Sequence, residues 1–140
     1  MNDDPDLTAL YREVCVAYAD CSEDYFENSL KIRNLRFRAR QAVDPKMAQE
    51  IMERACPYYN KFEAEFLGLF PDDCKIVLAR EGSVCIYVQP GEKKLPTINS
   101  LHADEYDVME QTTYGDKHHG LSEQKSNYGG YKNEVRIWWD

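Results

Sequence analysis

Cys74-Lys-Ile-Val-Leu-Ala-Arg80-Glu-Gly-Ser-Val84-Cys-Ile-Tyr-Val-Gln89 reads as two strands closed by a tight turn. Residues 74–80 and 84–89 are rich in β-branched and other apolar side chains, and Glu81-Gly82-Ser83 puts a glycine where the turn asks for a positive φ. Ile76, Val77 and Leu78, then Val84, Cys85, Ile86, Tyr87 and Val88, are apolar on both faces, which suits central strands packed on helices.

Towards the N-terminus the period changes from two to about 3.6. Leu7, Tyr11, Val14, Tyr18, Cys21 and Tyr25 recur at four-three spacing, and the spacing continues through Ile32, Leu35 and Ala39. One helix over residues 7–40 is expected, or two with a break near 20–23, where Cys21-Ser-Glu-Asp resembles a capping box. Asp44-Pro45 starts another helix, an N-cap followed by proline at the first helical position. That helix is expected to bury Met47, Ile51, Ala55, Tyr58 or Tyr59, Phe62 and Phe66, with a kink or interruption at Pro57, and to end at Gly68 to Pro71. The short link between the two predicts an antiparallel helical hairpin.

Towards the C-terminus, Tyr131, Asn133, Val135, Ile137 and Trp139 alternate with Lys132, Glu134, Arg136 and Trp138, the pattern of a half-exposed strand. Another strand is expected over about 106–114. Residues 115–130, glycine-rich and holding His118 and His119, read as a long loop. The predicted fold is α+β: an N-terminal antiparallel helical hairpin packed on a C-terminal antiparallel sheet, a meander of about 3–5 strands. A length of 140 residues fits a single domain over 1–140, helical in 5–70 and β-rich in 74–140.

The five cysteines, at 15, 21, 56, 74 and 85, form an odd set without C-x-x-C spacing, which argues against a disulfide framework and a zinc ribbon. The acidic start Met1-Asn-Asp-Asp-Pro-Asp is unlike a signal peptide, and no apolar run reaches membrane-spanning length. A cytoplasmic location without membrane contact is expected. A net charge of −8 disfavours direct nucleic-acid binding and favours basic partners.

Four constellations are weighed. Lys31, Arg33, Arg36, Arg38 and Arg40 can grip phosphates, but on a helical wheel they flank the Ile32, Leu35 and Ala39 stripe, as snorkelling cations do. His102, Asp104, His118 and His119 suggest a metal or acid-base site, yet adjacent histidines do not easily share one ion, so no metal or cofactor is expected. Cys74 and Cys85 read as small buried hydrophobes rather than nucleophiles, and no catalytic residue is assigned.

The fourth is acidic and aromatic. Residues 1–30 hold eight acids against one arginine, and Asp104, Glu105, Asp107 and Glu110 form a second acidic stretch. Asp20, Glu23, Asp24 and Glu27, with Tyr114, Tyr128, Tyr131 and Trp138 as anchors, are the predicted partner-binding residues. No Walker loop, dinucleotide fingerprint, nucleophile elbow, H-E-x-x-H or EF-hand loop is present. The expected function is therefore that of a non-enzymatic acidic binding protein, an inhibitor occupying the basic surface of a nuclease, toxin or nucleic-acid-binding defence complex. The alternatives are a small-molecule site or simple hydrolase between sheet and helices near the loop histidines, and a homo-oligomer paired through the Leu7–Tyr25 stripe.

Overall fold

In the computed structural model, which describes residues 5–19, 35–108 and 133–140, the two strands of the opening stretch lie inside a five-stranded antiparallel sheet. In chain order the elements are α1 (Pro5–Ala17), β1 (Arg36–Val43), α2 (Pro45–Ala55), the two-residue strands β2 (Tyr58–Tyr59) and β3 (Phe62–Glu63), and a 3-10 helix (Ala64–Leu69). They continue with β4 (Lys75–Glu81), β5 (Ser83–Gln89), α3 (Ile98–Leu101), β6 (Glu105–Val108) and β7 (Val135–Trp138). The large sheet runs β1-β4-β5-β7-β6, and β2 pairs with β3 separately.

The β4–β5 hairpin has the expected form: Glu81 pairs with Ser83 across Gly82, whose φ of 72° is a conformation that a Cβ would strain. The α2 start is also as read. Asp44 is extended, and its Oδ1 accepts the Met47 N–H at 2.8 Å, satisfying one donor of the first turn. Asp44→Ala is expected to lower stability by about 1 kcal/mol, read as a shift in urea midpoint with unchanged slope.

Three expectations are corrected. The helix over 7–40 is not found, because Arg36–Val43 is the edge strand β1, paired with β4 and bulged between Arg38 and Ala42. Leu35 and Ala39 are four apart, a spacing that serves a helix face and a strand face equally. The Arg36-Phe37-Arg38-Ala39-Arg40 alternation is the strand signal, with Ala39 in the core. The helical hairpin is not confirmed, since the junction at Asp44 joins β1 to α2. The sheet is not a simple meander either: β7 inserts between β5 and β6. Of the strand expected over 106–114, the described part is Glu105–Val108.

One core links α1, α2, the 3-10 helix and the sheet. Leu10, Val14, Tyr18, Ala48, Ile51 and Met52 from the helical side join Ile76, Leu78, Val84, Ile86, Val88, Val135, Ile137 and Trp139 from alternate strand positions. Each fully buried aliphatic side chain contributes roughly 1.5–3 kcal/mol. Pro57 ends the helical run after Ala55, and the chain turns through the β2–β3 hairpin, which delivers Phe62 to the core with its ring 5.0 Å from that of Trp139 in an edge-on contact. Arg80 also lies inside: Nη1 donates to the Ala17 carbonyl at 2.7 Å and Nε to that of Gly82 at 3.1 Å, while the Tyr18 hydroxyl donates to the Ala79 carbonyl. These bonds tie the end of α1 to the sheet.

Candidate functional site

On the opposite sheet face, register brings together charged residues that are far apart in sequence. β7 lies between β5 and β6, so Arg136 pairs with Tyr87 on one side and Asp107 on the other, and Trp138 pairs with Cys85 and Glu105. Directly paired residues share a face, so these side chains meet. Arg136 donates to Glu81 Oε1 from Nε at 3.0 Å and from Nη2 at 2.8 Å. Its Nη1 donates to Glu105 Oε1 at 2.6 Å and to Asp107 Oδ2 at 3.3 Å. The Tyr87 hydroxyl donates to the second Glu81 oxygen, and the Trp138 indole N–H to the Glu81 carbonyl at 2.9 Å.

A second pair borders this cluster. Arg38 Nη2 donates to Glu134 Oε2 at 2.8 Å, Gln89 Nε2 donates to the same oxygen at 3.3 Å, and the Arg38 guanidinium lies 4.5 Å from the Tyr87 ring centre. The supposedly solvated side of β7 is therefore buried at Glu134 and Arg136, which corrects the half-exposed strand. The charges tolerate burial because each has an opposite charge and directed hydrogen bonds.

The electrostatics separate an inner and an outer part. The Glu81 side chain is 13% exposed and that of Arg136 10%, against 49% for Glu105 and 40% for Asp107. Burial pushes the Glu81 carboxyl up, but the charge and hydrogen bonds of Arg136 and the Tyr87 hydroxyl outweigh it and hold it below the usual carboxylate range. Burial, and then the negative neighbourhood, pushes the Tyr87 hydroxyl well up. Burial works against the charge on Arg136, but its neighbours, Glu81 and Glu105 among them, outweigh it. These shifts favour a charged Glu81 carboxylate and a neutral Tyr87 hydroxyl within the cluster. Three carboxylates meet one guanidinium here, and Arg36 adds its attraction at Glu81. The negative excess falls on the solvent side, at Glu105 and Asp107.

No family model, curated protein or solved structure matches the chain. The site is therefore read from its own residues.

Of the predicted partner-binding residues, Trp138 is described: it is half-buried, anchored on Glu81 and opposite Glu105. Asp20, Glu23, Asp24, Glu27, Tyr114, Tyr128 and Tyr131 lie outside the described residues, as do His118, His119, Cys21, Lys31, Arg33 and Glu110. His102 and Asp104 have separate contacts. His102 caps α3 with a φ of 53° and stacks beside Phe66, ring centres 5.5 Å apart. Asp104 accepts from Lys61 Nζ at 2.8 Å and from the Asp140 N–H at 2.7 Å. Among the described residues no group of three or more histidines, cysteines and acids could hold a metal ion, and no helix is long and apolar enough to cross a membrane.

Cys56, Cys74 and Cys85 are buried free thiols. Burial pushes Cys74 up to about 11 and Cys85 well above the ordinary thiol value. These three are expected to escape alkylation in the native protein near neutral pH and to react in urea, with peptide mass spectrometry as the readout.

A different surface lies between α1 and β1: a mostly apolar groove of about 600 Å³ lined by Ala9, Val16, Leu35 and Phe37, with Arg12 and Glu13 on its rim. Val16 there is 77% exposed. Its lining carries both signs of charge, Arg12 and Arg36 against Glu13.

Sequence reasoning missed Glu81 and Arg136 as site residues. Their signal was the charge interrupting each strand at a fixed parity, but which charges meet is set by register.

Proposed function

We propose that this chain is a non-enzymatic acidic binding protein, an inhibitor that occupies the basic surface of a nuclease, toxin or nucleic-acid-binding defence complex. The carrying observation is the Arg136 cluster, in which Glu105 and Asp107 open to solvent beside the anchored Trp138. A half-buried indole next to two part-exposed carboxylates that share one guanidinium is the kind of surface on which a partner's lysine or arginine gains both charge and apolar contact. The acids at 20, 23, 24 and 27 and the tyrosines at 114, 128 and 131 remain part of the proposed contact. A reducing, cytoplasmic setting fits the free thiols at Cys15, Cys56, Cys74 and Cys85.

Capture from an extract of the source cells tests the reading, using the wild type and a Glu105→Gln/Asp107→Asn variant at low and moderate salt. A basic protein held by the wild type, and held less by a variant with the same circular dichroism, is the expected outcome. Equal retention by both, or no retention by either, removes the proposal.

A further inference from the structure

The outer edge of β6 carries a more specific reading, one that rests on the binding function just proposed. The Trp139 N–H donates to the Val84 carbonyl, so Val135, Ile137 and Trp139 turn their backbone groups towards β5. By antiparallel alternation Arg136 and Trp138 turn theirs towards β6, where they face Asp107 and Glu105. Tyr106 and Val108 therefore present their N–H and C=O groups on the far side, and among the described residues no strand lies beyond β6. Val108 is 60% exposed.

Sheet edges of this kind accept an added strand unless something blocks them, and β6 has neither a proline nor a lysine. What it has is Glu105 and Asp107 on one face, alternating with Tyr106 and Val108 on the other. A strand laid along this edge would put every second side chain within about 5 Å of Glu105 or Asp107 and the others beside Tyr106 and Val108. We infer that β6 docks an extended segment of the partner by strand addition, with lysine or arginine at alternate positions and apolar residues between them. Main-chain bonds to Tyr106 and Val108 supply register, and the two carboxylates select the basic face.

The test uses the full-length chain and two capped peptides of equal length and charge, one alternating lysine with valine and the other alternating lysine with proline. The second carries the same charge but cannot donate the ladder bonds. The lysine–valine peptide is expected to bind about tenfold more tightly, the scale of two backbone hydrogen bonds, and to slow amide exchange at Tyr106 and Val108. Equal affinity for the two peptides, with unchanged exchange at those amides but binding weakened by Glu105→Gln/Asp107→Asn, overturns strand addition and leaves the acidic binding surface standing. Binding of neither peptide at low salt counts against both. Self-association of the chain that the double variant abolishes, with no peptide bound, puts a second copy on the edge and also overturns the inference.

Discussion

Arg136→Ala is expected to lower stability at neutral pH by about 3–5 kcal/mol, the cost of stranding a buried carboxylate without its partner. Glu81 is the residue stranded: its side chain is 13% exposed, and Arg136 meets one of its oxygens through two nitrogens. The variant should have a characteristic pH dependence. In the wild type Glu81 is held below its unfolded value, so its contribution is complete above the unfolded carboxylate range, near pH 4.3, and is lost as pH falls through the lower folded value. Without Arg136, burial is opposed only by the Tyr87 hydroxyl and by Arg36, so the folded value rises relative to the wild type and the variant loses less as Glu81 takes up a proton. The gap in urea midpoint between the two proteins should therefore narrow as the pH falls below about 5. A constant gap from neutral to acid pH would mean that the loss comes from packing rather than from the charge pair.

Trp139→Ala is expected to cost about 3–5 kcal/mol, from a cavity in the core that neighbouring elements cannot fill by relaxing. Trp139 is fully buried, packs edge-on against Phe62, and its indole N–H donates to the Leu101 carbonyl at 2.8 Å. Truncation removes the contact that joins the end of β7 to the β2–β3 hairpin and leaves the α3 carbonyl without that donor. Trp139→Phe should keep much of the packing and lose the hydrogen bond, so its midpoint should fall between those of the wild type and the alanine variant. A phenylalanine variant as unstable as the alanine one would assign the effect to the hydrogen bond.

These two residues also show how much of the fold was legible. The Val135, Ile137 and Trp139 alternation announced a strand with one buried face, and that face is in the core. The other face was expected to meet solvent because it carries Glu134 and Arg136, and here hydropathy misleads. A charge is buried when partners from other strands meet it, and those partners, Glu81, Glu105, Asp107 and Arg38, lie on β4, β6 and β1. Strand parity could be read locally, but sheet order, with β7 between β5 and β6, could not. β1 was misread for a related reason: helical and strand periods coincide at Leu35 and Ala39, and the intervening arginines were read as snorkelling flanks. Local chemistry was the more dependable guide at Asp44-Pro45 and at Gly82, where a single residue type determines the backbone. At the site, Trp138 and the acids at 105 and 107 could be singled out by residue type, whereas their hub at Arg136 and Glu81 needed the register.

Backbone hydrogen exchange on the chain, free and in complex with the partner it captures, bears most directly on the binding function. Slowed exchange is expected at residues 105–108, with the amide of Tyr106 among those protected, and this protection should be lost together with binding in Glu105→Gln/Asp107→Asn. Protection confined to residues 9–17 and 35–37, with β6 unchanged, would place the partner in the apolar groove between α1 and β1 and contradict the assignment of the acidic edge as the contact.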